Sequence, residues 1–73
     1  MNEDEIKAYV NKRIELLVGS KRCEGILAEQ FQDDGEWWMR LNEFWFSEDG
    51  KEKKRDNYRV KISEINGYGP AME

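Results

Sequence analysis

The stretch DDGEWWMRLNEFWFSEDG, Asp33 to Gly50, constrains this chain more than any other part of it. It holds all three tryptophans and two of the three phenylalanines, bracketed by two Asp-Gly pairs. Asp-Gly suits tight reversals, because both residues tolerate the positive φ that hairpin turns require. The residues between, Glu36 to Phe46, are dense in types that fit a pleated, half-buried surface. A strand that reverses at both ends needs antiparallel neighbours, so the segment predicts the centre of a meander. Alternation places Trp37, Met39, Leu41 and Trp45 on one face and Trp38, Arg40, Asn42, Phe44 and Phe46 on the other. The first is the better core face, and Leu16 and Leu27 are expected to pack with Trp37, Met39 and Leu41.

A chain of 73 residues makes one domain, 1–73, with a thin core. Such domains commonly recruit a disulfide, a metal or partner subunits as a staple. Cys23 is the only cysteine and there is no histidine, so no intramolecular disulfide and no metal or cofactor site is expected. Oligomerisation is the staple that remains. The acidic start, Met-Asn-Glu-Asp-Glu, is unlike a signal peptide and no apolar run suits a membrane span, which gives the expectation of a soluble cytoplasmic protein with no membrane partner. The net charge of −4 opposes general attraction to phosphate backbones, so any nucleic-acid contact has to be local.

Along the chain, Asn2 reads as an N-cap with Glu5 three places on, and Ile6, Tyr9 and Val10 share one face, predicting a helix from about Glu3 to Asn11. The acids of its first turn complement the helix dipole. The period then changes to two. A first strand begins at Arg13, with Ile14, Leu16 and Val18 on one side, and Gly19-Ser20 ends it. A second runs from Lys21 to Gln32, with Gly25 marking a sharp bend or a close backbone approach. The aromatic strand is the third, Asn57 to Ser63 is a fourth, and Ile65 to Pro70 supplies a very short fifth. Lone Cys23 reads as a small buried hydrophobe. With so few residues, five strongly bent antiparallel strands do best as a small barrel over about 13–69, giving a mainly β fold behind an N-terminal helix.

The segment Val18 to Leu27, VGSKRCEGIL, has a glycine turn, a basic and polar run and then Gly-x-Leu. The segment Tyr58 to Ile65, YRVKISEI, is similar to Tyr-Lys-His-Ala-Ile-Ser-Thr-Val. In these motifs, and in the order helix, strands, aromatic strand, the chain resembles the Sm-like family (LSm and Hfq-like proteins), particularly its bacterial Hfq branch. The resemblance covers most of the chain. It implies an RNA-binding or ribonucleoprotein-scaffold role and a homo-oligomeric ring closed by pairing the fourth strand of one subunit with the fifth of the next. It places Arg59 where the family has a uridine-contacting lysine. Val60 stands in place of the neighbouring histidine, Gln32 to Glu36 and Ser63-Glu64 replace the Sm signature pairs, and the span from Leu27 to Phe31 is one residue longer than the motif.

These departures move any expected contact with single-stranded RNA to local features. Trp38 beside Arg40 offers a ring and a guanidinium for stacking bases, and Arg59 and Lys61 offer charge for phosphates. The alternative use of the same rings is burial in the barrel or at a subunit interface. Half of the positive charge falls between Lys51 and Lys61, either a phosphate-contacting patch or a solvated hairpin tip that protects a sheet edge. No carboxylate spacing stands out from ordinary surface charge, so no catalytic residue is assigned and no enzyme is expected. Two roles remain open: an RNA-binding ring, and a small barrel that acts as a protein–protein adaptor.

Overall fold

The computed structural model describes residues 3–71. One helix, α1 (Glu3–Lys7), precedes strands β1 (Arg13–Val18), β2 (Lys21–Asp33), β3 (Glu36–Glu48), β4 (Lys51–Arg55), β5 (Tyr58–Lys61) and β6 (Ile65–Pro70), with a 3₁₀ turn at Ile62–Glu64 between the last two. All pairings are antiparallel in a single sheet of order β4-β3-β2-β1-β6, with β5 also on β3. The chain is mainly β, as expected. Among the described residues the strands number six rather than five, and the sheet is not closed.

The additional strand comes from the lysine-rich segment. Its register on β3 is continuous with that of β5, since two residues lie between Leu41 and Phe44 and two between their partners Tyr58 and Arg55. Together β4 and β5 therefore form one long partner of β3, interrupted at Asp56-Asn57. There both chains bend. Glu43 and Asn57 take positive φ, the Glu43 N–H donates to Asp56 Oδ1 at 2.9 Å, and the Asn57 N–H donates to Asn42 Oδ1 at 3.0 Å. Lys51 to Arg55 is largely exposed at the sheet edge beside the Asp49-Gly50 turn, as the solvated-tip reading has it, but it is a paired strand, which that reading did not include. Ile62 and Ser63, expected in the strand, lie in the 3₁₀ turn.

The bend also inverts the faces of β3. Pairing with β2 shifts between Glu24 and Ile26, where β3 carries an extra residue, and shifts back between Leu27 and Glu29. Before the bulge alternation holds: Met39 and Leu41 are fully buried, and Trp37 packs half-buried against the core. After it, Phe44 and Phe46 turn inward and Trp45 turns outward, donating its indole N–H to Glu24 Oε1 at 2.7 Å. The expectation that Trp45 shares the core face is thus overturned by one inserted residue. Gly25 sits across this bulge. A Cβ there would stand 3.0 Å from Phe44 Cα and 3.1 Å from the Asn42 carbonyl oxygen, so only glycine lets the two strands meet.

The core comprises Ile6, Ile14, Leu16, Cys23, Leu27, Met39, Leu41, Phe44, Val60 and Ile62. Ile6 brings α1 onto it, worth about 1.5–3 kcal/mol for one fully buried isoleucine. The helix is shorter than expected. After Lys7 the chain turns through bonds three residues apart, Tyr9 N–H to Ile6 and Lys12 N–H to Tyr9, each 2.9 Å. Asn11 then adopts φ 68° and its N–H donates to the Leu27 carbonyl at 2.7 Å, which draws the chain onto β2 and ends the helix. The N-cap assigned to Asn2 lies outside the described residues.

The connection between β5 and β6 shows how the sheet is shaped. These strands are its opposite edges at that end, four inter-strand steps or about 19 Å apart in a flat sheet. Only the 3₁₀ turn joins them, and the four Cα steps from Lys61 to Ile65 span at most about 15 Å. The sheet must therefore curl until its two edges approach, yet they do not pair with each other. No helix among the described residues is long and apolar enough to cross a membrane.

Candidate functional site

The turn Asp34-Gly35, with φ of 54° and 79°, matches the two positive φ values of a type I′ hairpin and locks β2 and β3 in a fixed pairing. It sets Asp33 opposite Glu36, Phe31 opposite Trp38 and Glu29 opposite Arg40. On the other side of β3, Trp38 pairs with Lys61 and Arg40 with Arg59. The structure thus brings all four expected residues, Trp38, Arg40, Arg59 and Lys61, to one outer face of the sheet. It also adds Phe31 and three acids that sequence reasoning did not assign there. The two-residue turn was the signal that could have found Phe31, because it sets the register of β2 on β3.

The contacts differ from those expected. Cations over Trp38 come from β5: the Arg59 guanidinium carbon lies 5.0 Å from its ring centroid and Lys61 Nζ 5.4 Å. Arg59 also lies 5.0 Å from the Phe31 centroid, between the two rings. Arg40 does not form the expected stack. Its Nε donates to Glu29 Oε1 at 3.2 Å and its Nη1 to Asn57 Oδ1 at 2.9 Å, which ties it to the bend.

Each of these cations is already matched. Arg59 Nη2 reaches Asp33 Oδ2 at 2.9 Å, Lys61 Nζ reaches Glu36 Oε2 at 2.9 Å, and Arg40 pairs with Glu29. The hydrogen bond to Glu36 holds the Lys61 ammonium above the ordinary lysine value. Three cations and three carboxylates leave the face without net charge, so it presents no positive field to a phosphate chain. The Trp38 ring is covered by its two cations, and its buried Nε1 has no hydrogen-bond partner among the described residues. Stacking a base on Trp38 would require displacing Arg59 or Lys61 from contacts they already make.

A second aromatic group lies on the inner face beside the open seam. Phe44 and Tyr58 stack with centroids 4.4 Å apart and planes 7° from parallel, and Phe46 leans against both. Among the described residues, Tyr58 and Leu17 are the large apolar-bodied ones most open to solvent, at 37% and 42%. A cleft of about 240 Å³ runs along this group, lined among others by Val18, Lys21, Phe46 and Glu64. Cys23 lies at its base, buried, with its thiol pushed up to about 11 by desolvation. A thiol held protonated in this way is a poor nucleophile. Among the described residues, no group of three or more histidine, cysteine or acidic side chains could hold a metal ion. Comparison of the chain with protein-family models, curated proteins and solved structures finds no match in any of the three.

Proposed function

We propose that this protein is a non-enzymatic, Sm-like assembly module: a small open barrel that joins copies of itself by strand pairing and serves as a protein–protein adaptor. The observation that carries the reading is the unclosed sheet. Its β5 and β6 edges curl toward each other without pairing, and an edge strand offers unpaired backbone donors and acceptors to another chain. Pairing β5 of one copy with β6 of the next would satisfy both edges and cover the Phe44–Tyr58 group beside the seam. It would also supply the staple that a core of this size lacks. Such an interface is head-to-tail, and it closes into a ring if the rotation per subunit divides a full turn.

The adaptor form is favoured over the RNA-binding form by the matched charges of the outer face. Arg40, Arg59 and Lys61 each hold a carboxylate, so phosphate contact there would break an ion pair for every one it made. Native mass spectrometry of the whole chain with and without oligo-A and oligo-U tests both halves of the reading. Assemblies of several chains free of RNA are expected. A single chain would overturn the assembly, and stoichiometric RNA on it would overturn the adaptor.

A further inference from the structure

Strand β4 contributes little to the proposed β5–β6 interface. The edge formed by β4 and β5 runs from Lys51 to Lys61, whereas β6 has only the six residues Ile65–Pro70 to lay against it. The break at Asp56-Asn57 separates the two parts, so pairing at β5 leaves the outer edge of Lys51–Arg55 open. The composition of that open edge is one-sided: KEKKR, four cations and one acid, all exposed except the half-buried Lys53. Lys53 pairs with Glu48 at 3.6 Å. Among the described residues, Lys51 and Lys54 have no carboxylate within ion-pair distance, and the Arg55 guanidinium donates only to a backbone carbonyl, that of Lys54. Unmatched cations are thus gathered on β4, three in five residues, and not on the outer-face cluster.

Three properties coincide along five residues: an unpaired strand edge, three unmatched cations, and apolar rings on one side. Arg55 pairs across the sheet with Phe44 and Lys53 with Phe46, so the side of β4 that carries these residues borders the aromatic group. Lysine on an edge strand ordinarily prevents unwanted pairing, because a second strand of like or neutral character would have to bury the charge. An acidic strand reverses that sign.

We propose that β4 is a docking edge for an extended acidic segment of a partner protein, which adds to the sheet as a further strand. Backbone hydrogen bonds to β4 supply the affinity. Carboxylates at alternate positions of the incoming segment meet Lys51 and Arg55 on the aromatic side, and the apolar residues between them lie on the opposite side, along the stem of Lys54 and toward Trp45. A phosphate chain could answer the charge but would leave the backbone edge unpaired. A second copy of β4 would place like charges opposite one another. The proposal rests on the adaptor reading and is independent of the pairing at β5.

The test uses the whole chain with three fluorescent probes: an eight-residue peptide alternating glutamate with phenylalanine or leucine, the same peptide with lysine for glutamate, and oligo-A. Anisotropy should show the acidic peptide binding and the other two not. K51E/R55E should weaken that binding by about tenfold or more, since each lost contact reverses sign. Its unfolding curve must stay close to that of the parent; if it does not, the single changes K51E and R55E are read instead. Hydrogen exchange then separates strand addition from simple charge attraction. Amides of β4 should gain protection when the acidic peptide is bound, and those of β1 should not. Failure of the acidic peptide to bind, binding without protection of β4, or loss of binding in none of the variants would each overturn the proposal. Binding of oligo-A in its place would overturn the adaptor reading with it, whereas failure of the peptide alone would leave the assembly reading standing.

Discussion

Arg59 lies between Phe31 and Trp38 with its guanidinium carbon 5.0 Å from each ring centroid, and its Nη2 reaches Asp33 at 2.9 Å. Three strands are joined at this point: Asp33 and Phe31 on β2, Trp38 on β3 and Arg59 on β5. The arrangement uses rings and charge within the fold that the sequence alone offers equally well to a base.

A double-mutant cycle on Arg59→Ala and Trp38→Ala should therefore return a coupling of about 0.5–1 kcal/mol toward greater stability, the range for a cation over a ring at a half-exposed site. Urea denaturation of the four variants measures it. A coupling indistinguishable from zero would show that the two side chains do not stabilise one another.

Gly25→Ala should destabilise the fold by about 1–3 kcal/mol, because the added methyl meets Phe44 Cα, a backbone atom that cannot swing away. For a domain of this size that is a fall in melting temperature of about 4–8 °C per kcal/mol. Gly69→Ala is the control. Nothing lies within 4 Å of a Cβ at that position, and its thermal unfolding curve should shift far less.

The core assignment separates two leucines that look alike in the sequence. Leu41→Ala removes a fully buried side chain and should cost about 2–5 kcal/mol. Leu17→Ala removes one that is 42% exposed and should lie within about 0.5 kcal/mol of the parent. Equal losses in a chemical denaturation series would show that the faces of β1 or β3 are wrongly assigned.

Alkaline pH should weaken the fold through two groups. The hydrogen bond to Glu5 is the main cause that pushes the Tyr68 hydroxyl up to about 12, and burial pushes the Cys23 thiol up to about 11. Both pKa values are raised above their unfolded values, so the folded state holds the protons more tightly. The corresponding stability is complete below the unfolded values, near 9 for cysteine and 10 for tyrosine, and is lost as pH rises through about 11 and 12. Urea midpoints should fall over this window. Tyr68→Phe and Cys23→Ala should each flatten part of the slope, and an unchanged slope in both would contradict the assignment.

Much of the fold is legible in the sequence because local signals agree with it. The alternation of Ile14, Leu16 and Val18 gives β1 with its observed ends, and Asp34-Gly35 gives the β2–β3 hairpin. Leu16, Leu27, Met39 and Leu41 are buried as the periods require. What remained hidden has physical causes. The face inversion at Phe44 turns on Glu43 adopting φ 47°, and a glutamate gives no warning of that; the matching sign was Gly25, on another strand. Strand β4 lacks apolar alternation because it rests on a neighbour and not on the core. The candidate site was half legible: its four residues do share a face, but the carboxylates that neutralise it arrive through pairings between β2, β3 and β5 that no local pattern encodes.

If the two unpaired edges of the curled sheet join copies of this chain, its mass in solution must show it. Light scattering coupled to size exclusion, on the whole chain at micromolar concentration, reads that mass without reference to shape. The expected value is an integral multiple of 8.7 kDa, at least twice that figure and stable on dilution. A mass of 8.7 kDa across the concentration range would contradict assembly through these edges.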